Sequence, residues 1–589
     1  SWRASYLFKT CVFLIIHLIF NTMASRVLFV VYDNGSYDNT FPMGVGALSA
    51  VLKRQGHEIK IWNQDIHHYS DDSLTDYLDE NKFDVVIVSL IAGYYQYKKM
   101  KNLSKAINKS KQRPYYLMGG YGPTPEPEFF LKKSGCDVVC MGEGEITIQK
   151  IMDAIENKIS LRNVPGIAWL ENGKLQQTAR APLIHNLDSL TWAPYELFDM
   201  KHYRMLRLTK SRPTDFCFPM MSARGCSFKC NFCYRMDPGY RKRSSKLLID
   251  EVEMLHKDYG ITYIAFQDDL LMSSVEHTEA VCLEFLKRDL PVRWNCNGRL
   301  NYCSEELLQL MKDAGCVFIN YGIESMDQNV LNKMKKGLRP EMIVRGIEDT
   351  LKVGISPGLN FIFGNHGDNR ATLKKTVDFL LKYDDFAQKR TIRPVTPYPG
   401  SPLYYDAIKM GLLDKDNPAE DFYERKHLNS DLLCCNFTEL TDDEFYESLK
   451  WANTALMKNY YDKQRNNTLE QINYLYDTKD VTFRGFRFPG GKARENIPSE
   501  SFQKKSKSVS GNVDKLNGDK KNKSIGETRN WEISNTDDGE RFSQQNQNIN
   551  ENKNEKSFDN YLKRKAERLA AKKVSNLKTG KYSKKTSIN

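Results

Sequence analysis

Residues 216–235 read Phe-Cys-Phe-Pro-Met-Met-Ser-Ala-Arg-Gly-Cys-Ser-Phe-Lys-Cys-Asn-Phe-Cys-Tyr-Arg. An apolar run leads into Arg224-Gly225, and Cys226, Cys230 and Cys233 follow with Cys-x3-Cys-x2-Cys spacing. Three thiolates are one short of the four that usually hold an iron–sulfur cluster. A cubane held by three leaves one iron with an open position, where a small molecule can be chelated and reductively cleaved. Zinc is the alternative, but structural zinc takes four ligands, often as two separated pairs. The next histidine is His256, and the other cysteines stand singly along predicted helices and strands. Inert buried thiols are a third reading, and three within eight residues beside Arg224, Gly225 and Lys229 are not a core pattern.

With 589 residues the chain has room for two or three domains, because one core rarely grows beyond about 250–300 residues. Thirteen cysteines without even pairing point to a reducing, cytoplasmic setting. The net charge of +12 is concentrated at one end: 24 Lys/Arg face 13 Asp/Glu from Gly485 onward, against 62 and 61 before it. The folded part therefore gives no reason to expect specific nucleic-acid binding or a stable membrane anchor. Residues 10–20 form an apolar run behind Arg3 and Lys9, which looks like a signal peptide, though it is short for a bilayer span. Because the first predicted strand starts just past Met23, residues 1–22 are expected to be an upstream artefact rather than a signal-like segment in use.

Hydrophobic patterning predicts an α/β chain. Strands at 26–32, 58–62, 84–90, 115–118 and 138–141 alternate with helices at 42–55, 74–80, 97–109, 126–133 and 146–157. Continuous apolar strands separated by helices imply a doubly covered, Rossmann-like parallel sheet over 25–157. Such sheets bind ligands at their carboxyl ends. The loops there carry Gly44, Gly46, Ser89, Gly119-Gly120-Tyr121-Gly122 and Gly142-Glu143-Gly144-Glu145. Residues 158–215 read as a connector. Strands at 216–222, 261–267, 292–296, 317–321, 356–363 and 390–394 then count six β/α units over 216–402, a partial (β/α)6 TIM-type barrel. The cysteine triplet directly follows the first strand. Residues 403–484 read as a helical cap. Residues 485–589 read as a disordered basic tail, too poor in aliphatics to offset chain entropy.

The triplet at the mouth of a partial barrel, with Phe232 as the aromatic of Cys-x3-Cys-x-aromatic-Cys, resembles the radical SAM superfamily, enzymes that use S-adenosylmethionine. The resemblance implies a 4Fe–4S cluster on Cys226, Cys230 and Cys233, with its open iron chelating the amino and carboxylate groups of S-adenosylmethionine. It also implies that Asp268 and Asp269 stand near the methionyl amine, Arg299 meets the carboxylate, and Glu324 and Ser325 end the strand that holds the ribose. Gly364 helps to close the ring of strand ends. The first domain resembles the cobalamin-binding domain of one subgroup, with Ser89, Gly119, Gly120, Gly142 and Glu143 at the cofactor loops. One departure stands out: the loop after the first strand reads Asp33-Asn34-Gly35-Ser36-Tyr37, without the Asp-x-His-x-x-Gly motif. Asp65-Ile66-His67-His68-Tyr69-Ser70 imitates it after the second strand and is expected to be a chance match, leaving cobalt without a protein imidazole.

The resemblance implies a cobalamin-dependent methyltransferase acting on an unactivated carbon. Oxidative cyclisation or ring rearrangement with the same cofactors is the alternative, and a non-catalytic cobalamin or iron–sulfur sensor is a third reading. No catalytic acid or base is identified. A flavodoxin- or ferredoxin-type electron donor is implied as partner, and the aromatic-rich cap suits a small-molecule, lipid, tetrapyrrole or peptide substrate alike.

Overall fold

A computed structural model describes residues 24–481 apart from 34–38, 92, 207 and 237, together with 483 and 563. Residues 1–22 and almost all of 485–589 lie outside the described residues, and with them the expectations for both ends. The compact unit that ends at Leu456 holds both sheets; helical residues from Met457 onward belong to a second unit.

β1 (Arg26–Val31), β2 (Glu58–Asn63), β3 (Val85–Ser89), β4 (Tyr115–Gly119) and β5 (Val138–Cys140) pair in parallel in the order β2-β1-β3-β4-β5. Successive strand residues point to opposite faces. Val27 and Phe29 join one core with Leu52, Ile148 and Ile151 from helices α1 (Met43–Arg54) and α5 (Gly144–Glu156). Leu28 and Val30 join another with Leu74, Leu103 and Phe130 from α2 (Asp71–Glu80), α3 (Tyr94–Lys109) and α4 (Pro127–Ser134). With both faces covered, the strand has no place for polar alternation. Strand order reverses between β1 and β3, which opens a crevice at the carboxyl ends.

The sheet does not stop at β5. β6 (Ile167–Glu171) and β7 (Lys174–Gln177) extend it antiparallel, Cys140 opposite Ile167 and Ala168 opposite Gln177. Residues 167–177, read from sequence as connector, are thus part of the first sheet. β5 is three residues long, and a hairpin covers the backbone groups it would otherwise leave unpaired.

The second sheet runs in sequence order from β8 (Cys217–Met220), an open half-barrel of six strands as expected. The first strand is shorter than its apolar run. After Met220 the chain leaves the sheet and forms a separate hairpin, β9 (Ala223–Cys226) with β10 (Gly239–Lys242). Asp268 causes the detour: its carboxyl accepts from Ser222 N at 2.6 Å, Ala223 N at 3.2 Å and the Ser222 hydroxyl, taking those donors out of the ladder. The remaining strands are β11 (Tyr263–Phe266), β12 (Arg293–Gly298), β13 (Cys316–Glu324), β14 (Ser356–Phe363) and β15 (Arg393–Pro394). The first three barrel helices, α6 (Ser245–Tyr259), α7 (Val275–Arg288) and α8 (Glu305–Asp313), start behind Ser244, Ser274 and Ser304, whose hydroxyls accept the N–H of Leu247, His277 and Leu307.

Helices α9 (Gln328–Lys333), α10 (Pro340–Lys352), α11 (Arg370–Tyr383) and α12 (Pro402–Lys409), then a π-helical turn at Asp421–Lys426, lead to α13 (Asp442–Thr478). Phe445, Leu449, Ala452 and Leu456, spaced by three or four residues, bury one stripe of α13 in the core, as a capping helix should. No helix among the described residues is long and apolar enough to cross a membrane.

Candidate functional site: the cysteine hairpin and its facing cavity

Cys226 ends β9, and Cys230 and Cys233 follow in the loop returning to β10. Asn231 fixes that loop from several sides. Its N–H donates to the Met334 carbonyl at 3.0 Å, its carbonyl accepts from Leu403 N at 2.9 Å, and its carboxamide exchanges hydrogen bonds of 3.1 and 3.0 Å with Asn365. A hydrogen bond from the Cys233 thiol, then the charges of Lys336 and Arg299, hold the Cys230 thiol below its usual range. The thiolate is the form that binds metal. Among the described residues no three of His, Cys, Asp and Glu are gathered tightly enough to chelate a single ion. Three thiols on one hairpin thus face two cations.

Arg299 follows β12, and its guanidinium carbon lies 3.4 Å from the centroid of the Phe228 ring. Nε donates to Asn301 Oδ1 at 2.8 Å, while Nη2 is buried without a partner. A buried donor without an acceptor is costly, and a carboxylate satisfies a guanidinium well. Glu324 ends β13 in a left-handed conformation (φ +75°) and pairs with Lys336 at 2.9 Å, both side chains nearly buried. The Lys336 ammonium lies 5.6 Å from the ring centroid of Phe232, the aromatic of the motif.

Three other expected contacts are engaged within the fold in this structure. Asp268 is 1 % exposed, and its carboxyl is taken up by Ser222 and Ala223. Burial raises it to about 7. Its neighbour Asp269 is the one that lines the cavity. Ser325 is buried and accepts from Asp327 N at 3.1 Å, closing the turn into α9. Gly364 has φ +101°, and a Cβ there would stand 2.7 Å from the Phe445 ring. Its N–H donates to Asp368 at 3.0 Å, so it is a packing glycine.

A cavity of about 350 Å³ lies between the carboxyl ends of the first sheet and the cysteine hairpin. One wall carries Gly44, Ser89, Gly119, Gly120, Gly142 and Glu143, the other Met220, Ala223, Gly225 and Asp269. A Cβ at Gly44 would meet nothing nearer than Ser89 Oγ at 3.8 Å, so it would project into this space. Gly120 answers to a different need: at φ +101° its Cβ would stand 2.4 Å from the Leu90 carbonyl, where two ligand-side loops touch. Gly142 N donates to Thr124 Oγ1 at 3.3 Å.

The Glu143 carboxylate is engaged by the protein itself. It accepts from Arg224 Nη1 at 2.9 Å, Arg241 Nη1 at 2.8 Å and Ile184 N at 3.1 Å. Burial opposes ionisation, but these donors hold the carboxyl below its usual range. Glu145 takes the other arm of Arg224. His67 stacks on Tyr69 with centroids 4.9 Å apart, and neither His67 nor His68 lines the cavity. The residues missed from sequence are Lys336, Asn231, Asn365, Arg224 and Arg241. Lys336 sits in Lys333-Met334-Lys335-Lys336, which reads as a solvated charge run.

Residues 220–380 match the radical SAM superfamily and residues 33–152 the B12 binding domain. An uncharacterized methyltransferase of Pyrococcus horikoshii is 30 % identical over 380 residues, covering 63 % of this chain and 79 % of that one. The anaerobic magnesium-protoporphyrin IX monomethyl ester cyclase of Rubrivivax gelatinosus is 26 % identical over 397 residues, 65 % of this chain and 70 % of its own. The structure of TsrM from Kitasatospora setae, a radical S-adenosylmethionine methyltransferase with cobalamin and a 4Fe–4S cluster bound, superposes with a TM-score of 0.54 at 18 % identity, over 66 % of this chain and 75 % of that one.

Proposed function

The chain belongs to the radical SAM superfamily, in the branch that carries a B12-binding domain, and on that premise we propose that it is a cobalamin-dependent methyltransferase acting on an unactivated carbon. The observation that carries this reading is the shared cavity, with the first domain's glycine loops on one wall and the cysteine hairpin on the other.

Cys226, Cys230 and Cys233 would hold the 4Fe–4S cluster, and the cavity wall at Gly44, Ser89 and Gly119 would take one face of cobalamin. When bound, the cluster with S-adenosylmethionine supplies a carbon-centred radical and cobalamin a transferable methyl group. The protein's own work is placement and exclusion. Lys336 and Arg299 favour the thiolate at Cys230, Arg299 offers Nη2 to a carboxylate, and Phe228 and Phe232 shield the two cations from water. Glu143 ties the hairpin to the loop after β5. No described cysteine forms a disulfide, which suits a reducing, cytoplasmic compartment.

The test is anaerobic reconstitution with iron, sulfide and hydroxocobalamin, then S-adenosylmethionine and dithionite. Methyl transfer predicts both 5′-deoxyadenosine and S-adenosylhomocysteine. Similarity to the cyclase supports a second reading, oxidative cyclisation, which predicts 5′-deoxyadenosine alone. Neither product, at full iron loading, would sink the enzyme reading.

A further inference from the structure

We propose that Lys333 and Lys335, flanked by Lys229 and Arg339, form the docking surface for an acidic one-electron carrier protein that reduces the cluster. The inference rests on the function proposed above and adds where the electron enters.

From Asn329 to Arg339 the sequence holds Lys333, Lys335, Lys336 and Arg339 and no carboxylate, whereas residues before Gly485 are balanced at 62 basic and 61 acidic. The patch is therefore a local excess, not part of a generally basic surface. Lys229, Lys333, Lys335 and Arg339 are exposed. Every ion pair found among the described residues leaves these four out. The backbone separates two neighbouring lysines: Lys335 is left-handed (φ +56°) and Gly337 also (φ +66°), so Lys335 faces solvent while Lys336 turns inward to Glu324 and Cys230.

This loop lies directly on the cysteine loop, through the 3.0 Å hydrogen bond from Asn231 N to the Met334 carbonyl. Two other sides of the cysteine hairpin are tied to the protein. Glu143 and Glu145 neutralise Arg224 on the first-domain side, and Leu403 N bonds the Asn231 carbonyl on the cap side. Among the described residues, the segment around Met334 combines contact with the thiol loop and exposed lysines that no ion pair takes up. With a cluster held by Cys226, Cys230 and Cys233, one electron would pass from the carrier to it, the carrier oxidised by one electron and the cluster reduced by one, with no bond or proton changed. A basic patch at the entry point steers an acidic carrier and fixes its orientation, an effect that salt screens.

The experiment uses the full-length reconstituted enzyme and a purified flavodoxin as the carrier. In K333E/K335E, flavodoxin binding measured by calorimetry should weaken about tenfold at about 50 mM salt and converge on wild type at about 500 mM. Flavodoxin-driven 5′-deoxyadenosine formation should fall in parallel, while the dithionite-driven rate stays within about twofold. The charge-matched control K257E/K287E, on exposed lysines of α6 and α7, should bind flavodoxin as wild type does. Unchanged binding in K333E/K335E at low salt, or equal weakening in the control, would overturn the proposal. Failure of the function itself looks different: dithionite would then yield no 5′-deoxyadenosine from wild type, whatever the flavodoxin affinity.

Discussion

Glu143 and Arg224 are hydrogen-bonded at 2.9 Å, joining the loop after β5 of the first sheet to the strand that ends in Cys226. Arg241, on the partner strand of the hairpin, donates to the same carboxylate at 2.8 Å. Glu143, expected at the cobalamin loops, fastens the cysteine hairpin to the first domain.

Glu143→Ala leaves the buried Arg241 guanidinium without its carboxylate and the half-buried Arg224 with Glu145 alone. Breaking a buried pair from one side costs about 3–5 kcal/mol, so thermal unfolding should shift down by several degrees. Glu143→Gln, which keeps the shape, should lose less. An unchanged melting temperature in Glu143→Ala would remove the clamp from the argument.

Arg299→Lys keeps the charge but loses the planar contact with Phe228 and the orphan Nη2 donor. The KM for S-adenosylmethionine should rise about 10- to 100-fold, the loss of one charge-assisted contact, with iron content unaltered. Equal KM values, or loss of iron, would assign Arg299 a structural role.

Lys336→Met strands Glu324 as a buried charge, since the two pair at 2.9 Å. The single substitution should cost about 3–5 kcal/mol. Adding Glu324→Gln should return a substantial part of that loss, because the two residues are directly coupled. Chemical denaturation of the apoprotein reads both. Strict additivity would contradict the pairing.

Two positions on one cavity wall should respond differently. Gly44→Leu sends a side chain into open space, so hydroxocobalamin retention should fall while the apoprotein's melting temperature holds. Gly120→Ala, at φ +101° with Leu90 O 2.4 Å away, should destabilise the apoprotein by about 1–3 kcal/mol. Visible absorbance and a melting curve on the same samples separate the two.

Acid should weaken the fold through His277 and His427. Burial depresses both imidazoles to about 4, from 6.5 for an exposed ring, with Lys242 adding to the effect at His277. As pH falls below 6.5 the unfolded chain takes up these protons first, so stability present above 6.5 drains away toward pH 4. Each site is worth about 3 kcal/mol at most. His427→Phe, in a ring already stacked 4.9 Å from Phe422, should flatten the acid side of the melting-temperature profile. An unchanged profile would show that His427 is not buried neutral.

The sequence of residues 216–235, with the alternation around it, determined the two α/β halves, the cysteine triplet at a strand end and the cofactors the resemblance implies. These features are local: a thiol triplet in one loop and apolar runs of strand length carry their meaning without knowledge of neighbours. Tertiary structure decided which polar residues are free to act. Asp268 and Asp269 are adjacent in sequence, yet one is consumed by Ser222 and Ala223 while the other lines the cavity. Lys335 and Lys336 are adjacent too, and a left-handed backbone turns one to solvent and the other to the thiols. Glu143 and Arg224 stand 81 residues apart. A hydrogen-bonding side chain satisfies whichever partner the packed chain brings within about 3 Å, and that partner is set by long-range topology, which no local spacing records.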